Sequence, residues 1–299
     1  QETREKLASL GYISSVQVSR KKNFGIQDDV KIILPYINKA EEAWDLYEEG
    51  KQDVGIKILK KIIQERKNID LPYKILASIY QEKGNTKEAI VILERGFKAL
   101  PSNYEIFIEY IKLLISDQQY DKVISSFKKT SIREAEYDPA IWNNLGFAYD
   151  KKGNFEEAIK AYKMGLSLDD KLPGLNNNLA NAYHSYGLQS RDSSIFSRCF
   201  EYYKRAIELD PEYAAAYYGL GHAYKHAGNL EGAIYCWEKA LEADPDFRKA
   251  LFDLATFYLN AGDKVKAFDI LSNYKKQYYH LMPLAERERL NTLLEKSQK

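Results

Sequence analysis

Few side chains in this sequence could do chemistry. His222 and His226 are four residues apart in a stretch of helical periodicity, so they share one face at a spacing that suits a pair of metal ligands. The local sequence places no Glu or Cys beside them. They read as polar residues lining a surface, and neither a metal nor a cofactor is expected. Cys199 and Cys236 each occupy a small-residue position in a helical pattern, which points to buried free thiols. Two cysteines do not make a disulfide framework. There is no Ser/His/Asp set, no Gly-rich phosphate loop and no paired-Cys motif. The chain reads as non-enzymatic, and the chemistry left to it is hydrogen bonding by amides and imidazoles.

The elements that would position those groups are clearest from Trp142 to Leu166, a stretch with the pattern of two amphipathic helices around a Lys152-Gly153-Asn154 turn. Small residues (Gly146, Ala158) stand where two helices must approach closely. Large ones (Trp142, Tyr149, Tyr162) fill the space beside them, and a Gly in the turn can take the positive φ that ends the first helix. The spacing W-x2-L-G-x2-Y, followed by A-x3-aromatic, resembles the tetratricopeptide repeat, a 34-residue helix–turn–helix unit. The resemblance implies an all-α, right-handed α-solenoid, or superhelix.

The unit repeats in register from Tyr36, with further starts at Asp70, Tyr104, Pro139, Pro173, Ala214 and Arg248, in steps of 34, 34, 35, 34, 41 and 34 residues. Seven repeats are expected, at 36–69, 70–103, 104–138, 139–172, 173–213, 214–247 and 248–282. Prolines fall just after second helices, where they stop one helix or begin the next. The 41-residue unit carries seven extra residues between Gly187 and Cys199. With Asp192, Ser193 and Ser194 available as N-caps, the insertion is expected to lengthen the loop and add a turn to the second helix. Residues 283–299 read as an amphipathic helix capping the apolar end of the array.

Composition bounds the rest. At 299 residues and 45% hydrophobic content there is ample material for a core, while a net charge of +1 without a basic stripe argues against nucleic-acid binding. No apolar run approaches the roughly 18 residues of a membrane span, so membrane insertion is not expected. The first 35 residues do not fit the repeat and read as an irregular arm. Within it, Leu7 to Ile13 (LASLGYI) resembles the tail of the catalytic domain in sulfatase-like proteins, and the segment from Gly25 onward resembles the linker to their fused repeats. The sulfatase nucleophile pattern, a Cys or Ser followed by Pro and Arg at fixed spacing, is absent. That resemblance implies an accessory region of a hydrolase and an extracytoplasmic setting, whereas a free-standing chain would be cytoplasmic.

The repeat resemblance also implies a concave groove lined by the second, fifth, ninth, twelfth and thirteenth positions of each unit. Here these are Asn143, Phe147, Asp150 and Lys151, then Asn177, Asn181, His184 and Ser185. Tyr218, His222, Lys225 and His226 follow, then Phe252, Thr256 and Asn260. Asn carries both a donor and an acceptor, so a row of them can hold a peptide backbone without reading its side chains. The family's chaperone-tail clamp is matched only at Asn181: Asn177 stands in place of a Lys and Gly219 in place of a second Asn. The expected function is a protein–protein interaction scaffold that binds a peptide or partner segment in the groove. The alternatives are the hydrolase accessory region and a self-association module.

Overall fold

The computed structural model describes residues 30–129 and 132–298. The Leu7–Ile13 phrase lies outside the described residues. Among those described there are helices and no strands, and the fold class is an all-α solenoid. No helix is long and apolar enough to cross a membrane.

The chain divides into two compact units, residues 1–152 and 153–299. The first holds α1 (Val30–Glu48), α2 (Gln52–Glu65), α3 (Leu71–Glu82), α4 (Thr86–Ala99), α5 (Tyr104–Ser116), α6 (Tyr120–Lys129), the short α7 (Arg133–Glu136) and α8 (Pro139–Lys151). Its core runs through Trp44, Leu59, Tyr73, Leu93 and Phe107, with Phe107 packed on both Phe97 and Phe127 at ring separations of 5.3 Å. The caps at the heads of the first helices of successive repeats are linked. Asn103, which caps α5, donates to Asp70 at the head of α3, and Tyr104 donates to Asp138, the cap of α8. One expectation is corrected here. Val30 to Pro35, assigned to an irregular arm, are helical. Ile33, Ile37 and Ala40 continue the inward-facing stripe of α1, while Pro35 is on its exposed side.

The second unit holds α9 (Phe155–Leu168), α10 (Pro173–Ser190), α11 (Ser193–Leu209), α12 (Ala214–His226), α13 (Leu230–Ala243), α14 (Arg248–Asn260), α15 (Lys264–Tyr278), a 3-10 turn (Tyr279–Leu281) and α16 (Leu284–Gln298). Its core passes from Trp237 and Leu254 to a cluster where α16 lays Leu290, Leu293 and Leu294 against Leu251 and Leu271. The extra residues of the long repeat do not lengthen a loop. α10 continues through Gly187 to Ser190, α11 starts at Ser193, and only Arg191 and Asp192 lie between them. Seven residues are close to two helical turns. One turn is therefore added to each helix of the pair, and the pairing of α10 with α11 is kept. Asp192 caps α11 by accepting from the amides of Ser194 and Ile195.

Five of the turns between helices carry a glycine at positive φ (Gly50, Gly84, Gly153, Gly228 and Gly262). The α5–α6 turn places Gln118 there instead, at φ 58°, with Gln118 N–H donating to Ile115 and Gln119 N–H to Leu114. A left-handed conformation costs a residue with a Cβ about 1–2 kcal/mol, and glycine gives part of that back as unfolded-chain entropy. Gln118→Gly is accordingly expected to stabilise the first unit by about 1 kcal/mol, read as a higher midpoint in urea. A lower midpoint would refute this account of the turn.

Candidate functional site

Three helices of the second unit, each the first of its repeat, bring several of the predicted groove residues together. α10 presents Asn177, Asn181 and His184 at intervals of four and three residues, which is one stripe of a helix. α12 presents Tyr218, His222, Lys225 and His226, and α14 adds Lys249 and Asp253. Asn177, Asn181, His184, Tyr218, His222 and Lys249 line one cavity of about 320 Å³, together with the rings of Tyr203 and Phe247. Gly219 belongs to the same wall. A Cβ there would stand 2.4 Å from the Tyr203 ring, so any larger residue would collide with it.

Polar bonds stitch the helices across this wall. The Tyr203 hydroxyl donates to Asn181 Oδ1 at 2.6 Å. His184 Nε2 and His226 Nδ1 are 2.8 Å apart, one donating to the other. Asp253 Oδ2 accepts from the Tyr218 hydroxyl at 2.7 Å and from His222 Nε2 at 3.1 Å, which ties α12 to α14. Burial works to raise the Asp253 carboxyl, but the hydrogen bonds from His222 and Tyr218 outweigh it and hold it below its usual range. Tyr218 is pushed well above the ordinary phenol value by burial and by Asp253. Burial, then the neighbouring His226 and His222, pull His184 down to about 4. His226 is also lowered, first by burial, then by His222 and Lys225.

Several residues differ from the groove-lining row expected of them. Asn177 and His184 are only 6% and 9% exposed. Asn177 donates weakly to Asn178, and its Oδ1 is buried with no hydrogen-bond partner. Phe252, expected to line the groove, is instead buried in the α14–α16 cluster beneath the Arg289 guanidinium, 4.3 Å from the ring centre. Thr256 turns its hydroxyl back onto the Phe252 carbonyl. Lys225 and His226 are exposed, with the Lys225 ammonium over the Trp237 ring. Asn143, Phe147 and Asp150 belong to α8 in the first unit. There the Phe147 ring meets Tyr120 edge-on and carries the Lys151 ammonium on its face. Asp150 has one buried oxygen without a partner, and burial raises its carboxyl against the pull of Lys151.

Asp253, Lys249 and Tyr203 were missed from the sequence. A signal for Asp253 was present, since it is the one carboxylate in an otherwise apolar helix centre (ALFDLATF). The two thiols are buried, and burial pushes Cys199 up to about 12 and Cys236 up to about 11. Neither is poised as a nucleophile at neutral pH.

Comparison with known proteins agrees with this architecture. Family models described as tetratricopeptide repeat match residues 73–103, 139–172, 214–247 and 249–278. The Photosystem I assembly protein Ycf3 of Rippkaea orientalis is 27% identical over 141 residues, covering 42% of this chain and 80% of that protein. Among solved structures, a tetratricopeptide repeat protein from Parabacteroides merdae superposes with a TM-score of 0.62 at 16% identity, over 89% of this chain and all of that one. The APC/C hetero-tetramer Cut9-Hcn1 gives 0.56 at 15% identity, over the whole of this chain and 60% of that one. The chain carries tetratricopeptide repeats, and repeats of this type mediate protein–protein interaction.

Proposed function

We propose that this tetratricopeptide-repeat chain is a non-catalytic scaffold whose second unit holds an extended segment of a protein partner along α10, α12 and α14. The observation that carries the reading is the Asn177 oxygen, buried beside the cavity with no donor. An unsatisfied buried acceptor costs about 1–3 kcal/mol, and a partner N–H arriving from the cavity would restore it. Asn181 complements it. Its oxygen is occupied by Tyr203, which leaves the amide nitrogen to donate to a carbonyl. An acceptor for N–H and a donor to C=O, a helical turn apart on one wall, match the N–H and C=O of a single residue in an extended segment, which point to the same side. Phe247 and Tyr218 add apolar wall. Asn143 and Phe147 offer similar chemistry on α8 within the first unit. An assembly role, as in the name of the Ycf3 relative, suits a scaffold of this kind.

The test is selection of peptides from a random displayed library on the wild-type chain, followed by titration of the winners. Asn177→Ala/Asn181→Ala is expected to weaken those peptides roughly tenfold or more, since each lost neutral hydrogen bond is worth about 0.5–1.5 kcal/mol. Helical content should not change. Tyr235→Ser, on an exposed side of α13, is the control and should bind as wild type. Equal binding by the double variant would overturn the groove reading.

A further inference from the structure

The hydrogen bond between His184 and His226 joins two of the helices along which the partner segment is placed. We propose that this pair is an acid-sensitive latch between α10 and α12, closed at neutral pH and opened when both rings are charged. The latch is a property of the fold alone. Its consequence, release of the partner segment in acid, rests on the groove reading given above.

The geometry sets the condition for opening. His184 Nε2 and His226 Nδ1 face each other at 2.8 Å, with the ring centres 5.0 Å apart. A hydrogen bond between two ring nitrogens needs one N–H and one lone pair. Two neutral rings meet that need. So does one imidazolium beside a neutral ring, since the charged ring donates and the other accepts. Two imidazolium rings set N–H against N–H and leave no acceptor. The pair therefore tolerates one added proton and opens on the second. His226 is exposed while His184 is 9% exposed, so the first proton goes to His226 and the second must enter the wall.

The surroundings oppose that second charge. Among the described residues, the charges acting on the two rings are basic ones, His222 and Lys225 of α12 beside the pair itself. From α11, the ring of Phe196 meets His184 edge-on at 5.3 Å. The charged groups of the other neighbouring helices are engaged elsewhere. Glu156 and Lys163 of α9 are held by Tyr186 and Tyr183, and Arg198 of α11 by Tyr183. Trp237 of α13 carries Lys225, and Asp253 of α14 is bonded to Tyr218 and His222. A histidine in an unfolded chain takes its proton near 6.5, whereas burial, then His226 and His222, hold His184 at about 4. Between those values the unfolded chain binds more protons than the folded one. Stability is therefore complete above about 6.5 and falls as the pH is lowered towards 4. His184 lines the cavity on the same stripe as Asn181, so parting α10 from α12 disturbs the wall proposed to hold the partner backbone.

The experiment takes the full, tag-free chain through urea unfolding at pH 7.5 and at pH 4.5. His184→Gln keeps an amide donor and acceptor opposite His226 but takes no proton. Over this interval the unfolding equilibrium of the wild type should shift towards the unfolded chain by about 10–100-fold more than that of His184→Gln. His280→Gln, at an exposed histidine outside the pair, should behave as the wild type. Titration of the histidine C2–H resonances reports on the pair itself, with His184 assigned by the signal lost in His184→Gln. In His226→Gln an amide oxygen can accept from a charged His184, so the His184 titration should move to higher pH. Equal pH dependence in the wild type and His184→Gln would overturn the latch. So would an unmoved His184 titration in His226→Gln, which would leave burial alone as the cause. The consequence is read with a selected peptide free of Asp, Glu and His. Its affinity should drop between pH 7.5 and 4.5 by a larger factor for the wild type than for His184→Gln, and equal factors would overturn the link to the groove. A library that yields no binder sinks the groove reading, and the latch is then decided by the unfolding and titration results.

Discussion

Trp237→Ala is expected to cost the second unit about 3–5 kcal/mol, the range for removing a large aromatic from a closed core. Trp237 is 1% exposed. Its indole lies on Gly221, where an added Cβ would stand 2.5 Å from Nε1, and it meets the rings of His222 and Phe257 at 5.4 and 6.3 Å. One side chain thus packs against α12 and α14 from α13. The indole N–H has no acceptor, so the stabilisation is packing and not a hydrogen bond. Trp237→Phe should therefore recover most of the loss, leaving roughly 1–2 kcal/mol for the smaller volume. Urea unfolding followed by circular dichroism measures both variants. A loss below 1 kcal/mol for the alanine would mean that the three helices are not held through this side chain.

The second large effect is predicted at Asp253. Asp253→Ala leaves Tyr218 and His222 without their shared acceptor. Hydrogen bonds to a charged group are worth about 1.5–3 kcal/mol each, so a loss on the order of 3 kcal/mol is expected. Asp253→Asn keeps one accepting oxygen and should fall between alanine and wild type. The bond itself is isolated by a double-mutant cycle with Tyr218→Phe. Removing the hydroxyl should cost stability in the wild-type background and little once Asp253 is alanine. Equal costs in both backgrounds would show that Tyr218 acts through its ring alone. Tyr218, which Asp253 holds, lines the cavity, so on the proposed reading the same variants should also weaken the peptides selected on the wild-type chain.

Much of the architecture was legible because its determinants are local. Gly221 marks a close approach within one helix pair, where Trp237 and Ala233 lie against it, and Gly228 turns the chain. A repeat array reuses those contacts between neighbours only, so one good unit teaches the pattern of the others. The misreadings arose where a local pattern admits two outcomes. The insertion after Gly187 has a good cap in Asp192, and a cap marks where a helix begins without saying how far the previous one runs. Packing decided that. Phe196 lies directly against Gly187, and this contact, made possible by the extra turns, carries α10 on to Ser190. Val30 to Pro35 were set aside because they precede the repeat register, but the helix runs on through them, and a proline on its exposed face leaves the buried stripe intact.

By itself, the sequence determined the helix periodicity and the turn positions, because these depend on spacings of three, four and 34 residues along one chain. Only the tertiary structure decided which residues meet. Tyr218 and Asp253 are 35 residues apart, and His184 and His226 are 42 apart. No single repeat contains either pair. Such contacts depend on how one repeat stacks on the next, and side-chain packing between helices sets that stacking. Burial of Asn177 and His184 follows from the same cause. The residues that line the cavity are therefore chosen one by one along the chain, but their chemistry comes into being only between repeats.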